Sequence, residues 1–187
     1  MGEIYRACAA HKETALRFAL LLIAGLSTAC PALAADGWTG YSNPRFNYSA
    51  EVPPGFMLTQ ESDNGDGATF RSKDGGAKLL LFGAFVEDGT FATDARRRIT
   101  WDRQEGWEIT YDKVTPGWAS YSGSRGADIL YVRAVALCDG SAAYFQLEYP
   151  RAALKAYNGL VSRMVRTLRP ATGCNQAPTT APGAAPN

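Results

Sequence analysis

Residues 128–150 read DILYVRAVALCDGSAAYFQLEYP, two apolar runs joined by Asp139-Gly140. In the first run Leu130, Val132, Ala134 and Ala136 fall on one face of a strand, and Ile129, Tyr131, Val135 and Leu137 on the other. A strand wetted on one side alternates apolar with polar residues. A run apolar on both faces belongs inside a sheet that is covered on both sides, which is where residues 128–138 are expected. Asp-Gly between apolar runs is a strong hairpin signal, and it leads into a strand at 142–149. There Ala143, Phe145, Leu147 and Tyr149 share one face, and Tyr144, Gln146 and Glu148 the other.

Past Pro150 the period changes. Leu154, Tyr157, Val161, Met164, Val165 and Leu168 recur at helical spacing, one apolar stripe that must lie on the sheet. Arg151, Lys155, Arg163, Arg166 and Arg169 line the rest, and Pro170 ends the helix. Upstream, strand runs are read at 107–114 and 118–122. A helix is read at 93–105, with Thr93 as N-cap and Gly106 as stop. Before it, Phe46, Tyr48, Ala50 and Val52 alternate with polar residues, and strands follow at 56–61, 68–72 and 77–84. Strands, helix, strands and helix with hairpin connections describe an α+β domain, an antiparallel sheet covered by helices. The two-sided strand favours three layers, a helix–sheet–helix sandwich.

The N-terminus has the order of a signal peptide. Arg6, Lys12 and Arg17 flank an apolar run at 18–26, and small residues follow, ending in Ala32-Leu33-Ala34. The run is shorter than the about 20 apolar residues that cross a bilayer. Cleavage is expected between Ala34 and Ala35. Cys30 is poorly placed for lipidation, because Leu26 stands one position too far away and Pro31 follows directly. The expected organisation is a signal peptide at 1–34, one domain at 35–174, and a disordered tail at 175–187. That tail holds three prolines and no aliphatic residue larger than alanine. The localisation implied is periplasmic or secreted, with no stable membrane span once the signal is removed.

Removal of the signal takes away Cys8 and Cys30 and leaves Cys138 and Cys174, an even pair that reads as a disulfide in an exported chain. Lengths allow it. The strand at 142–149 travels about 26 Å at about 3.3 Å per residue, and the helix at 151–168 returns about 27 Å at about 1.5 Å per residue. The helix therefore ends near Cys138, with Cys174 a few residues further on.

Charge and residue types exclude several chemistries. Without residues 1–34 the chain is formally neutral, which argues against nucleic acid as a partner. His11 is the only histidine and leaves with the signal, so a serine or cysteine nucleophile would lack its usual base and zinc its usual ligand. Residues 122–126, SGSRG, do not form a nucleophile elbow and read as a loop. The loop Ser62-Asp63-Asn64-Gly65-Asp66-Gly67 invites a calcium reading, but Lys73 stands where the closing glutamate belongs. Asp63, Asn64 and Asp66 are instead a candidate interaction loop. Asp94 and Arg97, like Arg98 and Asp102, have the spacing of helix-surface pairs. No cofactor and no catalytic residue are expected. The function expected is a non-catalytic accessory or binding module for an envelope protein or glycan; the alternative is a small cell-envelope hydrolase using carboxylates. An exposed aromatic among Trp38, Tyr41, Trp101, Trp107, Trp118 and Tyr121 would favour the first. Two facing carboxylates in a cleft, one with a raised pKa, would favour the second.

The segments Asn43-Pro44-Arg45-Phe46, Asn64-Gly65-Asp66-Gly67-Ala68-Thr69-Phe70 and Ser72-Lys73-Asp74-Gly75 resemble a family of exported bacterial proteins with an N-x-R-F … NGDG-x-x-F-x-S-x-DG pattern. The element order, and Tyr149-Pro150 before an amphipathic helix, resemble the PsbP-like and Mog-like superfamily. That resemblance implies a helix–sheet–helix sandwich and an accessory or binding role, and it brings no catalytic residues.

One measurement checks the processing. The non-reduced intact mass of the exported protein should correspond to a chain starting at Ala35, less two hydrogens for a Cys138–Cys174 bridge. A chain starting at Met1 or at a lipidated Cys30, or two alkylatable thiols, refutes the corresponding expectation.

Overall fold

The computed structural model describes residues 37–87 and 89–171. Ala34, Ala35, Cys30, Cys174 and the tail lie outside them. The chain forms β1 (Thr39–Asn43), β2 (Tyr48–Val52), β3 (Phe56–Glu61), β4 (Gly67–Ser72), β5 (Lys78–Phe85) and α1 (Phe91–Gln104). It continues through β6 (Glu108–Val114), β7 (Trp118–Arg125), β8 (Asp128–Ala136) and β9 (Ser141–Pro150). A 3₁₀ turn (Arg151–Ala153), α2 (Leu154–Thr167) and β10 (Arg169–Pro170) close it.

Seven strands make one antiparallel sheet in the order β3-β4-β5-β9-β8-β7-β6. The β8–β9 hairpin is interior, with β5 on one side and β7 on the other, as its two-sided apolar pattern requires. Leu130, Val132, Ala134 and Tyr144 pack with Phe91, Ala95 and Ile99 of α1 on one face. On the other, Val135, Phe145 and Leu147 pack with Val161 and Met164 of α2 and with Leu168 just past its end. α1 carries the chain from β5, past β9, β8 and β7, to the far edge at β6.

The face that carries α2 also carries a second sheet, β1-β2-β10. Tyr48, Ala50 and Val52 of β2 belong to the same core as α2, so that layer is part helix and part sheet. Glu51 ties the two parts together: it accepts from Arg163 Nε at 2.6 Å and Nη2 at 3.1 Å. The sequence reading is corrected at four points. β1 and β10 are strands it did not contain. The helix ends at Thr167, and Arg169–Pro170 pairs with β2 in place of simply stopping the helix. β7 runs on to Arg125, so 122–125 is strand and not loop. Finally, α1 is capped by Thr90, whose Oγ1 accepts from Thr93 N at 3.2 Å. Gly106, at φ +89°, is the stop. Cys138 lies exposed just past β8.

The two halves of the N-x-R-F and NGDG pattern meet in space. Asn43 Oδ1 accepts from Phe46 N at 2.9 Å, and its Nδ2 donates to Gly65 O at 2.9 Å. Arg45 donates to Asn64 O and pairs with Asp66 at 3.3 Å. Phe46 is buried over Gly83, where any Cβ would overlap its ring. A Cβ on Gly67 would run into the Leu81 carbonyl. Overpacking costs about 1–3 kcal/mol, and backbone cannot move aside as a side-chain tip can. Gly67→Ala is therefore expected to lower the unfolding free energy by about 2 kcal/mol or more, whereas Gly75→Ala, in open space, costs only its left-handed backbone strain. Chemical denaturation of both variants checks the difference; equal costs would contradict the close approach at Gly67.

Candidate functional site

α1 does more than cover the sheet. Phe91, Ala95 and Ile99 face the core, and a second stripe, Asp94, Arg97, Arg98, Trp101 and Gln104, lines a groove of about 780 Å³. The stripe follows helical spacing, so one element positions all five side chains. Across the groove stand Arg45 and Phe46 from the β1–β2 connection, Asp66 from the NGDG loop, and Phe85 at the end of β5. Trp101 is 58% exposed and Phe85 54%. Phe85 is held by Phe46, with ring centroids 5.0 Å apart.

The charges are internally compensated. Asp94 is buried and accepts from the Tyr144 hydroxyl at 2.7 Å, from Arg97, and pairs with Arg98 Nε at 3.5 Å. Burial pushes the Tyr144 phenol well above its ordinary range, so it stays protonated and donates. The Arg98 guanidinium lies 4.3 Å from the Tyr144 ring centroid and 5.3 Å from that of Phe82, a cation held between helix and sheet by ring faces and one carboxylate. Arg45 and Asp66 pair on the opposite wall. The groove thus offers two exposed aromatic side chains set among arginines whose charge is already matched.

The expected interaction loop is divided by this geometry. Asp66 reaches the groove wall. Asn64 is turned inward on the loop, donating to Asp66 Oδ2 at 2.6 Å and accepting from Asp66 N at 3.2 Å. Asp63 is exposed away from these bonds. Of the α1 arginines, Arg97 and Arg98 face the groove, while Arg103 pairs with Asp112 at 3.0 Å outside it. Among the aromatics singled out from the sequence, Trp107 and Tyr121 are buried, Trp38, Tyr41 and Trp118 are half-buried, and Trp101 is open. Phe85 gives no signal in the sequence: it ends an apolar strand, and nothing in the strand's composition marks the point where burial stops.

Asp102 does not make the expected surface pair. Its Oδ2 accepts from the Tyr121 hydroxyl at 2.6 Å. Burial raises its pKa, opposed by that hydrogen bond and by Arg98 and reinforced by Glu148 and Glu105. It does not line the groove.

No family model and no curated protein matches the chain. Among solved structures, the solution structure of cyanobacterial PsbP (CyanoP) from Synechocystis sp. PCC 6803 superposes with a TM-score of 0.53 at 15% identity. The match covers 78% of this chain and 99% of that one. The likeness shows the PsbP-like fold that the element order had implied.

Asp102 yields a pH prediction. A folded-state pKa above the unfolded one means that folding favours the protonated acid. The resulting stability is present below the unfolded pKa and lost as pH rises through the folded one. Asp102→Asn keeps an acceptor for Tyr121 and removes the charge. The variant is expected to be as stable as the parent or more so at neutral pH, with a flatter stability profile across the carboxylate range. Denaturant midpoints over a pH series check this; a variant that is less stable at neutral pH would show that the charge is wanted.

Proposed function

We propose that the protein is a non-catalytic accessory module of the cell envelope that docks a partner protein in the groove between α1 and the β1–β2 connection. The observation that carries this reading is the exposed Trp101–Phe85 pair beside charge-matched arginines. Tryptophan and arginine dominate the energetics of protein interfaces, and they do so best when rigidly held. A groove that satisfies its own charges suits a partner recognised by apolar contact, with the paired arginines as a polar rim. The PsbP-like fold supports an accessory role.

On this reading the chain works outside the cytoplasm after loss of residues 1–34, and Cys138 joins Cys174 to tie the end of α2 to the β8–β9 turn. The hydrolase alternative finds less support. Of the groove's three carboxylates, Asp66 and Asp94 are each paired with arginine and Glu87 is exposed beyond the end of β5, while Asp102, the acid with a raised pKa, stands outside the groove.

Site-specific photocrosslinking in intact cells tests the proposal. A crosslinker at position 101 or 85 is expected to capture one discrete partner, and one at Lys155 on α2 is not. In reconstituted binding, Trp101→Ala should weaken the captured partner at least tenfold, since anchoring aromatics cost about 2 kcal/mol or more when truncated. Capture at 155 but not at 101 or 85, or an affinity indifferent to Trp101, would sink it.

A further inference from the structure

The opposite face of the sheet carries a second groove, of about 750 Å³, between α2 and the open surface of β6, β7 and β8. Its wall is one stripe of α2: Leu154, Asn158, Val161 and Val165. Leu154 is 44% exposed, a large apolar side chain the core does not take up. Its floor is made of side chains that the strands turn to this face, chiefly Thr110, Ser122, Ser124, Ile129 and Tyr131. Arg151 and Arg166 stand at either end, separated by about 22 Å of helix at about 1.5 Å per residue.

This groove differs from the first in its charge. No carboxylate lines it. Among the described residues, Arg151 and Arg166 make no ion pair. Arg151 donates to Gly126 O at 3.4 Å. The next row along the floor pairs Ser120 with Arg133. Arg133 is half-buried, donates to Ser120 Oγ at 3.0 Å, and lies 4.4 Å from the Trp118 ring centroid. Its Nε is buried without a hydrogen-bond partner. Lys113 stands over the same ring at 5.4 Å. The acids closest in register are Glu108, opposite Ser124, and Asp128, beside Ile129; both are exposed at strand ends, and neither lines the groove. α2 starts where Pro150 pairs with Asp128 and runs back over the hairpin, so Arg166 lies toward the Arg133 row. Arg166 is exposed, and Arg133, which does not itself line the groove, is half-buried beyond that end; an elongated site with an apolar wall and unpaired cations at its end is complementary to an anionic amphiphile.

We propose that this groove binds a single-chain amphiphile with an acidic headgroup, carboxylate or phosphate. The chain lies along Leu154, Val161, Val165 and Ile129, and the head sits at the end marked by Arg166 and the Arg133 row. The volume is in the range of small-molecule sites, which run to about 300–1,000 Å³. This site is independent of the partner groove and survives that proposal's failure.

Calorimetric titration of the exported protein with laurate and dodecyl phosphate, each below its micelle concentration, tests it and separates the two headgroup chemistries. Saturable binding of one molecule of either is expected, with dodecyl maltoside, butyrate and inorganic phosphate at least tenfold weaker. Arg166→Gln, at an exposed position, should weaken the anionic chain about tenfold. Ser122→Trp should fill the groove and abolish binding. Both variants should keep the parent's melting temperature without ligand; should Ser122→Trp fail to fold, Thr110→Trp fills the same space from β6. Inorganic phosphate binding as tightly as dodecyl phosphate would overturn the chain's place in the site. Chain binding indifferent to Arg166→Gln and to the groove-filling variant would overturn the site itself. Co-sedimentation with phosphatidylglycerol vesicles that Ser122→Trp leaves intact, without binding of the free chains, would also overturn it, as adsorption to a charged surface.

Discussion

Everything in this fold answers to a hairpin that cannot face water on either side. β8 and β9 present apolar side chains to both faces of the sheet, and exposing either face would forfeit a large share of the hydrophobic stabilisation. Two covers are therefore obligatory. The chain supplies one before the hairpin, α1, and one after it, α2, and the connectivity follows. α1 crosses the sheet to reach the β6 edge, and the meander β6-β7-β8-β9 returns to pair with β5. The small β1-β2-β10 sheet completes the second cover, pinned to α2 by the Glu51–Arg163 pair.

The grooves follow from the mismatch between cover and sheet. Seven strands at about 4.8 Å spacing span roughly 30 Å, whereas a helix with its side chains is about 10–12 Å across. One helix covers two or three strands. On the α2 face the small sheet helps over β5 and β9, and the open surface beyond α2 is where β6 to β8 turn hydroxyl and cationic side chains outward. On the α1 face the gap opens at the end of β5, bounded by the latch that Asn43, Arg45 and Asp66 form. Both sites are places where the layers do not meet. What separates them chemically is charge: arginines matched by Asp66 and Asp94 in one, arginines without acids in the other.

How much of this was legible in the sequence depends on whether the signal was local. The β8–β9 hairpin, the apolar stripe of α2 and the stop at Gly106 rest on periodicity or on one residue's backbone preference, and they stand where they were read, except that Leu154 at the head of the stripe is left exposed. β1 escaped because Thr39–Asn43 carries a single ring, Tyr41, among small and polar residues, too little alternation to read; pairing with β2 and the packing of Tyr41 on Tyr48 and Phe70 hold it. β10 is two residues long and exists only because β2 offers an edge. The end of β7 was read as loop because Ser122, Gly123 and Ser124 look like turn residues; they form strand because β6 and β8 pair with them on both sides. The NGDG pattern was visible as a pattern, but its meaning lay 20 residues away in Asn43 and Arg45. Spacing along the chain carries no information about which distant segment a loop will grip. Asp102 shows the same limit, since its helical spacing to Arg98 was plain and its bond to Tyr121 on β7 was not.

The buried carboxylate of Asp94 links the fold to its proposed use. It takes the Tyr144 hydroxyl from the central strand and two arginines from its own helix, so the rotation of α1 about its axis is set by a polar contact as well as by apolar packing. Apolar packing alone tolerates some rolling of a helix on a sheet; a hydrogen bond of 2.7 Å between a buried phenol and a buried carboxylate does not. Trp101 lies seven residues on, two turns along the same stripe, and so inherits that orientation without any bond of its own. Phe85 is held across the groove by Phe46, whose place depends in turn on the absence of a side chain at Gly83. An aromatic pair held this way loses little freedom when a partner covers it, and that saving is where rigid recognition surfaces gain affinity. The same carboxylate therefore serves as an anchor: it accepts from the Tyr144 hydroxyl and from Arg97, and its ion pair with Arg98 holds the second cation of the stripe against the sheet.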